Sequence, residues 1–359
     1  MKKLFSITTF LIAAISLQAA VRTVSNSPAT LAQFNTIQLA INASASGDTV
    51  YVHGSPNLYA AFTITNKQLV VIGPGYAPDK NLPFTAVIQG CTITGTLSGN
   101  TELNGLSWVG ALTINSNHPD NLRFIRNHFV GIDVNINQGS TTYIDYLFES
   151  NLFDNATANA SASSTYQNIL FQNNYFYENG TVRDANLNGF FNCTNVLFNH
   201  NLWFGPASGT RNVATNSNNR FLSFTNNIFV RRNPAISITS STYTNNITFN
   251  AGTNNPWAVN SNVDGGGNLE NLDPQMAAQT AVNAGTNNAI ADYSIAAGPA
   301  NNTATDGKDM GLLYDAVGSL NWANSRNSRL PRIFSMNVVN PTIAAGANIT
   351  INVVAKTSN

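Results

Sequence analysis

One short pattern recurs through the middle of this chain and limits the folds that it can adopt. An apolar residue is followed two positions later by an aromatic residue, three positions after that by Asn, and two further on by a second aromatic residue. The Asn positions of the six copies, the last of which is degenerate, are Asn127, Asn151, Asn174, Asn201, Asn227 and Asn246. Spacings of 19 to 27 residues between copies indicate a solenoid, in which each repeat packs on its neighbours.

Steps of two within each copy are typical of a β-strand, so each repeat is predicted to be a coil of short strands. Stacked coils place the aromatic side chains above one another in the interior. The Asn residues align at a bend, where Asn tolerates left-handed backbone angles and its amide pairs with the amides above and below. A leucine-rich repeat would need Leu at several fixed positions, and an antiparallel sandwich would not repeat its aromatics in register. The sequence therefore predicts an all-β fold, a right-handed single-stranded parallel β-helix.

A solenoid needs capping segments at its ends, and both ends of this chain depart from the repeat. Residues 34–42 carry apolar side chains near helical spacing, at Ile37, Leu39, Ala40 and Ile41, and lead into a predicted strand at 50–52. Residues 62–72 supply a first coil. Near the other end, residues 333–339 and 349–354 alternate around a turn at Gly346 and predict a β-hairpin. This hairpin is expected either to pack on the open end of the helix or to attach the protein to a surface.

The first residues have the order of an export signal. Two lysines precede an apolar run over residues 4–17, and small residues follow at Ala19 and Ala20. We expect a signal peptide over 1–19, the capped β-helix over 20–320 and the hairpin segment over 321–359. The apolar run is shorter than the ~20 residues of a membrane-spanning helix, so no membrane span is expected. The protein is predicted to be exported to the periplasm, the cell surface or the medium.

Cys91 and Cys193 are the two cysteines of the chain, and about four predicted coils separate them. Coils stacked ~4.8 Å apart place the two sulfurs beyond the reach of a disulfide. We expect two buried free thiols.

Both ends also resemble a known family. Residues 34–76, with their Gly-Asp-Thr and Ile-Gly-Pro-Gly-Tyr elements, resemble the amino-terminal cap and first coil of pectin-lyase-like right-handed β-helix proteins. Residues 271–274, 292–293, 297–300 and 309–311 resemble the closing coils of uncharacterised secreted bacterial members. The resemblance implies the fold. Enzymes of that superfamily act on acidic polysaccharides, by calcium-assisted proton abstraction with a Lys or Arg base or by paired carboxylates.

The residues that such chemistry needs are sparse here. No lysine occurs between Lys80 and Lys308, which excludes a lysine base in the central coils. The carboxylates of these coils show neither an adjacent Asp pair nor an Asn-Thr-Asp run; they are Asp133, Asp145, Glu149, Asp154, Glu178 and Asp184. His and Cys are dispersed without the spacing of a metal site, and residues 306–309 read as a polar turn. No metal or cofactor is expected, apart from calcium if the protein is a lyase.

One weaker set of polar residues can be assembled from the coil register. Its members are Arg123, Arg126 and His128 on one coil, Asp145 and Glu149 on the next, and His200 two coils beyond. Pointing outward, they would share a groove that binds a polysaccharide, and Arg123, Arg126 and Glu149 are the candidate catalytic residues of a lyase. Scattered surface charge is the favoured interpretation of the same residues. The loops at 156–164 and 206–219, which are rich in Ala, Ser, Asn and Gly, are either candidate binding rims or solvated insertions.

The amino-acid composition argues against one class of partner, the nucleic acids. Acidic and basic residues balance at 17 each, and about one residue in six is Asn. A neutral surface of this kind gives no basis for nucleic-acid binding. The favoured hypothesis is a non-catalytic secreted or cell-surface protein that binds a glycan or another surface. The alternatives are a calcium-dependent polysaccharide lyase or related carbohydrate-active enzyme, and a structural matrix component.

Overall fold

A computed structural model describes residues 19–76, 84–180, 185–216, 219–252, 255–315, 320–323, 332–339, 346 and 348–356. The chain forms an all-β parallel solenoid of about ten turns, with little helix. This confirms the predicted parallel β-helix. The expected signal peptide lies outside the described residues, except for Ala19.

Three parallel sheets run along the solenoid, because the central coils each contribute strands to all three. Sheet 1 has twelve strands, Val21–Val24, Thr49–Val52, Val70–Ile72, Glu102–Asn104, Arg123–Ile125, Thr142–Ile144, Leu147–Glu149, Thr165–Gln172, Asn192–Asn199, Leu222–Thr225, Thr242–Thr244 and Val263–Asp264. Sheet 2 has eight, Val87–Ile88, Ser107–Trp108, His128–Val130, Leu152–Asp154, Tyr175–Tyr177, Leu202–Phe204, Ile228–Val230 and Ile247–Phe249. Sheet 3 has seven, Phe62–Thr65, Cys91–Thr94, Leu112–Ile114, Asp133–Asn135, Thr157–Asn159, Leu187–Asn188 and Ala214–Thr215.

Shorter elements complete the described fold. Two further strand pairs, Arg211–Asn212 with Arg232–Asn233 and Asn219–Arg220 with Ile238–Thr239, lie where long loops connect the sheets. The α-helices are Ile37–Ala43 and Gln279–Ala284, and a 3-10 turn covers Thr96–Ser98. The predicted hairpin is confirmed, since Arg332–Val338 pairs antiparallel with Ile351–Lys356.

The aromatic residues of the repeat form two interior ladders. In sheet 1 successive ring centroids are 4.7, 4.5, 4.6, 4.9 and 5.0 Å apart along Phe124, Phe148, Phe171, Phe198, Phe224 and Tyr243. In sheet 2 they are 4.9, 4.6, 3.9 and 5.9 Å apart along Phe129, Phe153, Phe176, Trp203 and Phe229. Each ring is fully buried. Stacking adds to the burial of the rings and fixes the register of the coils.

The repeated Asn residues form the predicted amide ladder at the bend between sheets 1 and 2. Each side-chain Nδ2 donates to the Oδ1 of the next Asn, at 3.2, 3.0, 3.0, 2.9 and 2.9 Å from Asn127 to Asn246, and Asn268 extends the ladder by one coil at 3.0 Å. The left-handed backbone lies one residue earlier than we expected. It occurs at Arg126, Ser150, Asn173, His200, Asn226 and Asn245, with φ between 50° and 60°. The ladder Asn is therefore selected for its amide, and the preceding residue makes the bend.

The amino-terminal cap is the helix Ile37–Ala43. The hydroxyl of Thr36 caps it by accepting a hydrogen bond from the amide of Leu39 at 3.2 Å. Ile37, Ala40 and Ile41 are buried against the first coils, as the spacing predicted. Leu39 is half exposed and is not part of this apolar face.

The segment after the last coil does not add closing coils. Residues 272–315 and 320–323, here called the strap, cover the outer face of sheet 2. Their apolar side chains form a second hydrophobic cluster with outward residues of that sheet, among them Tyr175, Leu202 and Ile228. Hydrogen bonds fix the strap to the bends, from Leu313 N to Asn173 Oδ1 at 2.8 Å and from Gly311 N to Asn226 O at 2.7 Å. Sheet 2 is consequently buried on both faces over these coils.

Both cysteines are free and buried, as predicted. Burial raises the pKa of the Cys193 thiol to about 12 and holds that of Cys91 well above its usual range. The two thiols act as small apolar side chains of the core.

Candidate functional site

The structure brings together three of the six residues assigned to the candidate groove, since the backbone amide of Arg126 donates to the carbonyl of Glu149 at 3.0 Å and the strand of Arg123 pairs with that of Glu149. Arg123 and Glu149 lie on the outer face of sheet 1, in neighbouring strands that pair in parallel. Their positions are diagonal, about 8 Å apart from the strand spacing and the rise per residue. Arg123 Nε is 3.3 Å from Glu102 Oε2, so its guanidinium is paired along the sheet face.

The side chain of Arg126 and the other three candidates are buried or exposed at different places in the fold. Arg126 is 4% exposed at the bend between sheets 1 and 2. His128 lies on sheet 2, with Nε2 3.4 Å from Asp154 Oδ2. Asp145 is exposed at the bend that enters sheet 1. His200 is fully buried beneath the strap. Asp184 lies outside the described residues.

His200 is held in place by the strap. Its Nε2 lies 3.2 Å from Asp306 Oδ2 and 3.2 Å from Asn226 Nδ2. Burial lowers the pKa of His200, and the nearby Asp306 opposes that effect. This imidazole attaches the strap to a bend, and it is not presented to a bound polymer. The six residues therefore do not line one groove.

An open cleft lies elsewhere, at the loop between sheets 2 and 3. It has a volume of about 420 Å³. Its walls are polar and consist of Gly180, Thr210, Arg211, Asn212, Ala214, Thr215, Asn216 and Ser237. Most of these residues belong to loop 206–219, one of the two segments that the sequence indicated as candidate binding rims.

Two features give the cleft its shape. Asn219 is fully buried, and its Nδ2 donates to the carbonyls of Thr215 at 2.7 Å, Asn216 at 2.9 Å and Ser237 at 3.2 Å. Gly180, with φ of 75°, allows the Arg211 side chain to lie against the backbone, since a Cβ there would come within 2.7 Å of Arg211 Cζ. The rim is thus fixed by buried hydrogen bonds and by close packing.

Charge beneath the cleft comes from a second arginine in register with Arg211. Arg232 is fully buried one coil on, and its Nη2 donates to the carbonyl of Asn212 at 2.6 Å. Burial lowers the pKa of Arg232 to about 9, buried Glu178 opposes that shift, and Arg211 adds to it. Glu178 in turn accepts a hydrogen bond from the amide of Gly180 at 2.7 Å. Arg211 contributes a positive charge to the cleft wall, among hydroxyl and amide groups.

Neither Arg211 nor Arg232 was predicted from the sequence to be a site residue. The signal was an Arg-Asn pair repeated one coil apart, at Arg211-Asn212 and Arg232-Asn233. The pairs lie in segments that interrupt the aromatic repeat, so the repeat gave no register for them.

A column of amides leads along sheet 3 to the cleft. Each Nδ2 donates to the Oδ1 in the preceding coil, at 3.0, 2.9 and 2.7 Å along Asn135, Asn159, Asn188 and Asn216. Asn216 also lines the cleft. The outer face of sheet 3 is therefore a regular polar surface that is continuous with the cleft.

The described residues show neither a metal site nor a membrane-spanning helix. Within the part of the chain that the structure describes, no three His, Cys, Asp or Glu side chains are grouped so as to hold a metal ion. No helix in the described ranges has the length and apolar character needed to cross a membrane. Residues 306–309 form a turn in which Asp306 Oδ1 accepts a hydrogen bond from the amide of Lys308 at 3.1 Å.

The chain matches no known protein family, and no curated protein is similar to it in sequence.

Proposed function

We propose that this protein is a secreted or cell-surface β-helix protein that binds a glycan, without catalysis, through the cleft at loop 206–219. The observation that carries the proposal is the chemistry of the cleft wall, which combines the hydroxyls of Thr210 and Thr215, the amide of Asn216 and the guanidinium of Arg211. Convergent donors and acceptors of this kind match the hydroxyl groups of a sugar.

Two further proposals accompany this function. Residues 1–19 direct export, which is supported by their charged, apolar and small-residue order. The chain is also a distant member of the pectin-lyase-like superfamily. The resemblance of residues 34–76 to the cap of that superfamily supports this, together with the helical cap and the parallel coils that follow.

The first test is a binding screen of the purified protein. Affinity electrophoresis would be run in gels containing xylan, mannan, soluble cellulose, alginate or polygalacturonate, each with calcium. We expect retention by at least one polysaccharide, with no increase in unsaturated-product absorbance or reducing ends. Failure of all gels to retard the protein would refute the proposal, and product formation would establish the lyase alternative.

A pair of matched variants locates the site. Thr215→Val removes one hydroxyl from the cleft wall while keeping the side-chain shape, and retention should weaken. Thr225→Val makes the same change on the outer face of sheet 1, at a residue of similar exposure, and retention should be unchanged.

A further inference from the structure

Phe221 is an unusual residue for its place in the fold. It occupies the bend that enters sheet 1, where the backbone is left-handed with φ of 60°. In other coils the left-handed residue at the equivalent position is small and polar: Asn121, Asp145, Asn168, Asn195 and Ser240. A bulky side chain is disfavoured in this conformation. Phe221 is also 50% exposed, so burial of its side chain offsets only part of that cost.

The neighbouring side chains hold an aromatic and cationic stack. Arg220 lies between two rings, with its Cζ 3.3 Å from the ring centroid of Phe191 and 5.1 Å from that of Phe221. The Nε of Arg220 donates to the carbonyl of Phe191 at 3.2 Å, which fixes the guanidinium plane. Such contacts orient the rings. The result is an ordered, half-exposed aromatic surface, here called the platform, made of Phe191, Arg220 and Phe221.

The platform and the cleft belong to the same coil. Asn216 lines the cleft, and Phe221 follows five residues later, so their Cα atoms are at most about 18 Å apart. Buried Asn219 joins the two, because it holds the carbonyls of the cleft rim and directly precedes Arg220. A ligand that contacts both must therefore extend over several sugar units.

We propose that the platform is a second carbohydrate-contact site, at which Phe221 stacks on the C–H face of a pyranose ring. This inference rests on the proposed function, and it assigns the ligand to oligosaccharides that reach from the cleft to the platform. Exposed aromatic rings supply a large, rigid contact area for such faces. The strained backbone at Phe221 is then maintained for ligand binding.

The test compares Phe221→Asn with the wild-type protein. Oligosaccharides of two, four and six units would be prepared from each polysaccharide that retains the protein, and their affinities measured by calorimetry. We expect Phe221→Asn to weaken binding of the six-unit ligand about tenfold and that of the two-unit ligand less than twofold. Phe221→Trp should keep wild-type affinity, since it keeps an aromatic face.

Thermal unfolding of the same variants separates a binding role from a structural one. Asn is favoured in the left-handed region, so Phe221→Asn should unfold at the wild-type temperature or above it. A lower unfolding temperature would make Phe221 a structural residue and overturn the inference. Equal affinity of wild type and Phe221→Asn for the six-unit ligand would overturn the inference and leave glycan binding at the cleft intact. Absence of retention by every polysaccharide would refute the proposed function and this inference with it.

Discussion

Replacing Asn174 with Ala tests how much the amide ladder contributes to stability. Asn174 is fully buried and makes four ladder hydrogen bonds. Its Oδ1 accepts from the backbone amide of Asn151 at 2.8 Å and from Asn151 Nδ2 at 3.0 Å. Its Nδ2 donates to the carbonyl of Phe148 at 2.9 Å and to Asn201 Oδ1 at 3.0 Å. The methyl group of Ala has no donor or acceptor, so the substitution removes all four hydrogen bonds.

The magnitude follows from the donors that lose their acceptor. A buried donor left without a partner costs about 1–3 kcal/mol. Asn174→Ala deprives two donors on Asn151 of an acceptor, so the expected loss is about 4 kcal/mol in the free energy of unfolding. That is a large share of the ~5–15 kcal/mol by which native proteins are usually stable.

Urea unfolding followed by tryptophan fluorescence and circular dichroism measures this loss. Asn195→Gly is the matched control, since Asn195 is exposed and its Nδ2 donates to Asn168 Oδ1 at 2.9 Å in a solvated ladder. Gly keeps the left-handed bend, so the control should lose less than about 1 kcal/mol. Equal losses in the two variants would refute the argument that burial of the amide ladder determines its contribution.

Two further predictions follow from buried ionisable groups. Burial lowers the pKa of His53, His118 and His200 below the value of 6.5 that a histidine has in the unfolded chain. At mildly acidic pH the unfolded chain therefore binds more protons than the folded one. The free energy of unfolding should fall as the pH is lowered from about 7 to about 5, and His200→Asn should reduce that fall in denaturant titrations. Cys91 and Cys193 have raised pKa values, and neither thiol should react with a disulfide reagent at pH 7.5 until the protein is unfolded in guanidinium.

The coils could be predicted from the sequence because their determinants are local. The aromatic and Asn positions recur within each repeat, so the interior ladders and the amide ladder followed directly. The residue in the left-handed conformation could not be found in this way. It varies between Arg126, Ser150 and His200, because a bend tolerates several polar side chains when the rest of the coil fixes it.

The strap was missed because its position depends on contacts between distant residues. A signal was present, since Tyr175, Leu202 and Ile228 place apolar side chains on the outer face of sheet 2. The residue after each of them is an inward aromatic residue of the ladder. A strand that is apolar on both faces needs a cover. The cleft was indicated by its loop, but the pairing of Arg211 with Arg232 depends on loop lengths that vary between coils.

Calorimetric titration of the cleft variants with a retained polysaccharide tests whether the cleft is the binding site. Thr215→Val should bind the polysaccharide several-fold more weakly than the wild type, while Thr225→Val should bind it equally well. Identical affinities for all three proteins would show that the ligand binds elsewhere, and would contradict the assignment of the cleft as the glycan-binding site.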